Sequence, residues 1–285
     1  MSQAARPAAA RRKPRGTGPG RWLAGPARAA GRFAALALLC AVALQLVFAL
    51  RIALMSVVDP QSTSFQRSEI WRQATDRGQV LWSQSWRPYG RIAEGLKRAV
   101  IASEDAGFAD HGGVEWDAIE KAWERNQRAE AQAARQAPRA RTAAATAEGT
   151  RREATAPAVR PAAKLVGGST ISQQLAKNLF LSGERSLARK GQEFVITLML
   201  ETLLDKRRIL EIYLNNVEWG EGLFGAQAAA RHYFRVDADR LTPAQAARLA
   251  VMLPAPKRFE KRPESAYVAG RSGSIVARMG AVELP

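Results

Sequence analysis

Cysteine is almost absent from this sequence: Cys40 is the only one, and it lies inside an apolar run. No disulfide can form within the chain, so the compartment has to be argued from topology. Acids are also scarce, 26 against 43 Lys and Arg, which leaves a formal net charge of +17. An excess of that size first suggests a nucleic-acid partner, but its distribution excludes one. Residues 1–32 hold eight Lys/Arg and no acid, and residues 128–164 hold eight against three Glu. Those two stretches carry 13 of the 17 net charges. A nucleic-acid domain would instead carry charge on its folded surface, interleaved with stacking aromatics. Val/Ile/Thr alternation is scarce as well, so a sheet-dominated fold is excluded and a mainly α domain is expected.

One long apolar run is present. Residues 33–50 read FAALALLCAVALQLVFAL, uncharged and with Gln45 as the one polar residue. As a helix this run spans roughly 27 Å, close to the thickness of a bilayer core. It is too long for most signal-peptide cores, and no small-x-small cleavage site follows. Arg11, Arg12, Lys13, Arg15, Arg21, Arg28 and Arg32 precede it, and Arg51 alone follows closely. This asymmetry places the N-terminus in the cytoplasm and the rest of the chain on the far side. The expected organisation is a disordered basic cytoplasmic tail over 1–30, a transmembrane signal-anchor over 31–58, one soluble domain over 59–275 and a short tail over 276–285. Residues 60–90 carry Trp71, Trp82, Trp86 and Tyr89, suited either to the membrane interface or to packing on the domain. Residues 128–163 are Ala/Arg-rich without apolar periodicity and read as a disordered insertion.

Three clusters carry chemistry. In SEDAGFADHGG, residues 103–113, the carboxylates Glu104 and Asp105 precede Phe108 and His111. A carboxylate at a helix end, shielded by an aromatic, can act as a general base on a sugar hydroxyl. In GGSTISQQLAKNLF, residues 167–180, Ser169 and Thr170 open a helix and Gln173 completes a capping box. The N-terminus of such a helix favours phosphate, and Lys177, one turn after Gln173, can reach a diphosphate. In residues 185–193, Arg185, Arg189 and Glu193 recur at helical spacing, with Lys190 alongside. The plain reading is an intrahelical ion pair; the functional one is a cation pair for diphosphate, ordered by Glu193. Leu203, Leu204, Ile209, Ile212 and Tyr213 suggest a further helix, and Thr242-Pro243 opens another.

In this order the clusters resemble the peptidoglycan glycosyltransferase family, the transglycosylases of penicillin-binding proteins. The family pattern Glu-Asp-x-x-Phe-x-x-His-x-Gly is met by Glu104, Asp105, Phe108, His111 and Gly113. Gly-x-Ser-Thr-Ile-x-Gln-Gln-x-x-Lys-Asn is met by Gly167, Ser169, Thr170, Ile171, Gln173, Gln174, Lys177 and Asn178. Arg-Lys-x-x-Glu is met by Arg189, Lys190 and Glu193, and the fourth pattern by Ile209, Leu210, Glu211, Tyr213, Leu214, Asn215 and Gly220. The resemblance covers roughly residues 80–275, and the 128–163 insertion departs from it.

The resemblance implies a mainly α, lysozyme-like glycosyltransferase domain with a small membrane-proximal jaw lobe, anchored in the inner membrane with its catalytic part in the periplasm. It implies a polymerase that elongates glycan from lipid II and releases undecaprenyl diphosphate by inverting transfer. Glu104 would be the base and Glu193 the second catalytic carboxylate. Asp105, Phe108, His111, Ser169, Thr170, Gln173, Gln174, Lys177, Asn178, Arg189 and Lys190 would bind substrate. No cofactor is required, although a divalent cation, Mg2+ or Mn2+, has a place at the diphosphate. Partners would be lipid II, the growing lipid-linked strand, the membrane, and cell-wall synthesis or division proteins, but no nucleic acid. Ser-x-x-Lys and Lys-Thr-Gly are absent, so no transpeptidase is expected. The rival readings are a hydrolase or lytic transglycosylase acting on existing glycan, and a non-enzymatic wall scaffold.

Overall fold

The computed structural model describes residues 20–116, 120, 124, 127, 128, 169–181, 183, 184 and 186–285. Nearly all of the expected 128–163 insertion lies outside these residues. The chain divides into two units, Met1–Leu50 and Arg51–Pro285.

The first unit holds most of helix α1, Gly20–Leu54. Its stretch Ala29–Leu54 is long and apolar enough to cross a membrane, and Phe33, Leu36, Leu39, Leu46 and Leu50 are exposed along it. Two expected boundaries move. Residues 20–30, expected as tail, are helical, because Ala and Arg favour helix strongly enough to extend it N-terminally. Residues 55–58, expected as anchor, form turns instead, just ahead of Pro60.

The second unit is mostly helical. Helix α2 (Ser64–Arg77) starts at a capping box between Thr63 and Gln66 and stops at Gly78. Next come β1 (Ser83–Gln84), α3 (Glu94–Glu104), α4 (Ile171–Phe180), α5 (Leu187–Leu203) and α6 (Lys206–Asn216). Strands β2 (Glu218–Gly220) and β3 (Leu223–Phe224) precede α7 (Ala226–Phe234), α8 (Pro243–Met252), the short α9 (Pro256–Phe259) and α10 (Ala266–Met279). The strands form one small sheet in the order β1-β3-β2, with β1 parallel and β2 antiparallel to β3. The tight β2–β3 turn requires Gly222: its φ is +69°, and a Cβ there would fall 2.0 Å from the Leu81 carbonyl oxygen.

Helices α3, α8 and α10 pack on one another, and α4 packs against α2, α5 and α6. Trp219, Tyr213, Phe108 and Phe224 are fully buried between these elements, each contributing on the order of 2–3 kcal/mol. Thr242 opens α8 with a capping box to Gln245 and Pro in the first turn, as the sequence predicts. Leu203 and Leu204 do not begin the third helix: α5 ends at Leu203, Leu204 is extended, and Asp205 caps α6 by accepting from the Arg208 N–H. The boundary expected at 275 falls inside α10, and Val282 beyond it is buried. Of the early tryptophans, Trp82 packs 4.9 Å from Phe224, Trp86 lies under the Arg208 guanidinium, and Trp71 stays exposed.

A second charged cluster joins α2, β2 and α9. Lys257 contacts Glu69 and lies 3.5 Å from Glu218. Glu218 is buried, and one of its oxygens has no hydrogen-bond partner. Burial pushes its carboxyl up to about 7, against the pull of Lys257. A raised carboxyl means the folded state holds a proton that the unfolded chain has already released. Its contribution is therefore fully present below the unfolded value and is lost as pH rises through about 7. Glu218→Gln is thus expected to raise stability at pH 8 by about 1–3 kcal/mol and to change little near pH 4.5. Urea melts at the two pH values check this, and equal effects at both would refute it.

Candidate active site

Glu104 is the last residue of α3 and half-buried. Its Oε2 accepts from the Gln174 side-chain amide at 3.0 Å, and Oε1 has only a long contact, 3.4 Å, from the Ser103 hydroxyl. Gln174 is held in turn: its Oε1 accepts from the Tyr213 hydroxyl at 3.0 Å. Tyr213 is fully buried, and burial pushes its pKa well up, so it remains a donor. This fixes the Gln174 amide with its NH2 toward Glu104. Burial also raises the Glu104 pKa, with Gln174 and Ser103 opposing and Asp105 adding to the rise. Glu104 is therefore a carboxylate with one oxygen anchored, one oxygen available, and enhanced basicity.

Asp105 ties the surrounding pieces together. Its Oδ1 pairs with His111 Nε2 at 2.7 Å, and Oδ2 accepts the Ile171 backbone N–H at 2.9 Å, an otherwise orphan donor at the start of α4. His111 Nδ1 accepts from the Gly113 N–H at 3.0 Å, which selects the tautomer with its proton on Nε2, facing Asp105. The hydrogen bond to Asp105 raises the imidazole pKa, against burial. Thr170 Oγ1 donates to the Gly113 carbonyl at 2.6 Å and accepts from the Gln173 N–H.

Helix α4 then leads to the cations. Lys177 lies three residues after Gln174, about 4.5 Å further along the axis. Desolvation by the surrounding protein lowers its pKa; Glu193 opposes this, and Arg189 and Lys190 add to it. Its side chain nonetheless keeps solvent access. Glu193 on α5 is buried, with Arg189 Nη1 on Oε2 at 2.8 Å and Lys190 Nζ on Oε1. Arg189 Nε is buried without a hydrogen-bond partner among the described residues.

The expected site residues thus divide. Glu104, Gln174, Lys177, Arg189 and Lys190 offer groups to a ligand, with Ser169 exposed and Asn178 half-buried on the same helix and its lead-in. Asp105, Thr170, Gln173 and Glu193 are buried and hold the frame. Phe108 offers no surface to a substrate: it is fully buried under His111 and the Lys206 ammonium, the latter 4.5 Å from its ring. Gln173 is spent on the capping box, so Gln174, not Gln173, is the glutamine that meets Glu104. Of the Arg185–Arg189–Glu193 line, Arg189 and Glu193 pair on α5, which Ser186 caps, and Arg185 lies outside the described residues.

Sequence reasoning missed three supports. Tyr213 was visible only as a motif residue. Ser172 and Lys206 both bond Glu201, and Lys206 also donates to the His111 carbonyl at 2.6 Å. Glu211 and Asn215 prove structural, accepting from the Tyr89 and Arg87 backbone N–H groups.

The donors do not fit a protein-held cation. Asp105, His111 and Glu115 bring ligand atoms within 4.8 Å of one another, but both Asp105 oxygens are already engaged. Both Glu193 oxygens are held by cations.

A family model described as Transglycosylase matches residues 74–135 and 148–280. The chain belongs to the transglycosylase family. The family match spans every part of the site above, and its break at 136–147 falls within the expected insertion. The transglycosylase from Paraburkholderia xenovorans (strain LB400), named a biosynthetic peptidoglycan transglycosylase, is 48% identical over 261 residues, 92% of this chain and 95% of its own length. Proteins of the same name from Burkholderia pseudomallei (strain K96243) and Burkholderia thailandensis are each 49% identical, covering 98% and 97% of this chain and 94% and 92% of their own. This transglycosylase is therefore an enzyme of the glycosyltransferase class, mainly α, with one helix among the described residues, near the N-terminus, long and apolar enough to cross a membrane.

Proposed function

We propose that this enzyme polymerises peptidoglycan glycan from lipid II by inverting transfer, with Glu104 as general base. The observation that carries the reading is the layout of α4: Gln174 touches Glu104, and about one turn on Lys177 lies in the field of Glu193, Arg189 and Lys190. One helix thus brings a carboxylate that can take a proton and a cation cluster that can receive a diphosphate to the same site. Glu104 Oε1 takes the proton of the acceptor sugar's 4-hydroxyl, the oxygen attacks the anomeric carbon of the growing strand, and undecaprenyl diphosphate leaves. Lys177, Arg189 and Lys190 neutralise its charge. The reading needs no metal; a Mg2+ or Mn2+ ion would ride on the diphosphate rather than on protein ligands.

An exposed apolar face supports a lipid-linked substrate. Leu187, Phe194, Val195 and Leu198 line one side of α5, with Trp116 6.3 Å from Phe194. Such a face suits a jaw lobe dipping into the outer leaflet of the inner membrane. The charge asymmetry around α1 supports a cytoplasmic N-terminus and a periplasmic catalytic unit.

The decisive assay offers purified protein lipid II and, separately, preformed glycan. Long polymer from the first supports the reading, whereas cleavage of the second alone would favour the hydrolase or lytic alternative. The pH profile gives a further expectation. A base must be ionised, so activity falls as pH drops through the Glu104 pKa. The acidic limb of kcat/KM should lie above the ordinary glutamate value of about 4.3. Gln174→Leu removes a donor that lowers that pKa and should shift the limb further up. An unmoved limb would detach Gln174 from the base.

A further inference from the structure

A second concave site lies around residues 258–267. A cavity of about 410 Å3 is lined by Arg258, Phe259, Lys261, Arg262, Ser265 and Tyr267. Arg258, Lys261 and Arg262 are exposed and have no acidic partner among the described residues. Of the neighbouring carboxylates, Glu260 accepts from the Glu221 N–H at 2.6 Å, and Glu264 lies 3.5 Å from Arg248, which lines the adjoining cavity with it. The Phe259 and Tyr267 rings stack at 5.8 Å and 2°. Tyr267 is 59% exposed, so its ring also presents surface to solvent. A second cavity of about 460 Å3 shares Arg262 and Ser265 and extends the groove along Phe234 and Met252.

The groove's position follows from helix packing. A Cβ added at Gly95, at the start of α3, would stand 3.7 Å from the Pro243 Cα at the start of α8 and 3.6 Å from the Met279 side chain at the end of α10. The three helices pack on one another. The opposite ends of these helices carry Glu104, Met252 and Ser265.

We propose that this groove is a glycan subsite remote from the reacting bond, taking a β-1,4-linked amino-sugar oligomer that carries carboxylates. A pyranose packs its C–H face on Tyr267, and Arg258, Lys261 and Arg262 bind carboxylates through charge-assisted hydrogen bonds. A neutral sugar engages only the ring, and a phosphate only the cations; the carboxylated glycan engages both. This inference rests on the polymerase reading.

The test measures binding to the full chain in neutral detergent micelles by calorimetry. The probes are a soluble muramic-acid-containing tetrasaccharide, neutral chitotetraose, and glycerol phosphate as a lipid-headgroup mimic. The tetrasaccharide should bind about tenfold more tightly than chitotetraose. The Arg258→Ala/Lys261→Ala/Arg262→Ala triple variant should remove that advantage. Tyr267→Ala should weaken both saccharides, and Tyr267→Phe should restore them, which separates stacking from misfolding. No tetrasaccharide binding, or unchanged binding by the triple variant, would overturn the subsite. So would a triple variant that loses glycerol phosphate alone, since that outcome makes the groove a headgroup site. Polymerisation of lipid II is scored separately. If wild-type enzyme makes polymer while the triple variant binds as before, the subsite alone fails; if no polymer forms, the polymerase reading fails.

Discussion

Lipid II polymerisation is expected to fall by about 10²–10⁴-fold in Glu104→Gln, with the unfolding midpoint unchanged or slightly raised. Gln keeps the shape and can still accept the Gln174 amide through its carbonyl oxygen. What it loses is the ability to take a proton. Stability should not suffer, because burial already disfavours the ionised glutamate, and the neutral amide escapes that penalty. Activity and melting must therefore be measured on the same preparation. Retained polymerisation would place the base elsewhere, and a collapsed midpoint would mean that Glu104 serves the fold.

Gly113→Ala should destabilise the catalytic unit by about 2–4 kcal/mol and reduce activity with it. Gly113 has φ +86°, a region that a Cβ disfavours. The added carbon would also stand 2.7 Å from Thr197 Cγ2 and 2.8 Å from Glu201 Cγ. Neither neighbour moves freely. Thr197 is fully buried, and Glu201 is held by Ser172 and Lys206. The Gly113 peptide groups bond both His111 and Thr170, so any shift passes to Asp105 and to the start of α4. Denaturant melts read the first effect and kcat the second. A melt within a few tenths of a kcal/mol of wild type would show that the loop has slack.

Much of this site was legible in the sequence because it is built from short-range patterns. The Thr170 capping box and the Arg189–Lys190–Glu193 spacing act within one helix turn, and both take the form that their spacing predicts. What escaped was everything that depends on tertiary partners. Adjacent Gln173 and Gln174 are chemically identical, and only the placement of α4 beside Glu104 and Tyr213 sends one to a cap and the other to Glu104. Phe108 reads equally as a substrate platform or a core residue until Lys206 and His111 close over it. The break at Leu204 was hidden because leucine favours helix, and Asp205 overrides that preference by capping α6. The Glu218 cluster joins segments far apart in sequence, where no spacing rule applies.

The chain just after the apolar helix bears on how a soluble enzyme should be prepared. Ile52 and Met55 are buried, Arg208 donates to the Met55 carbonyl at 2.7 Å, and Arg208 also pairs with Asp59 at 2.7 Å. Trimming at residue 58, where hydropathy alone would put the cut, strips a buried plug, takes the Met55 carbonyl from the Arg208 guanidinium and leaves its other partner, Asp59, at the new terminus. Trimming at residue 50 removes most of the apolar helix and keeps the plug. Of two truncated enzymes differing by eight residues, the longer should be the one that yields folded, crystallisable protein.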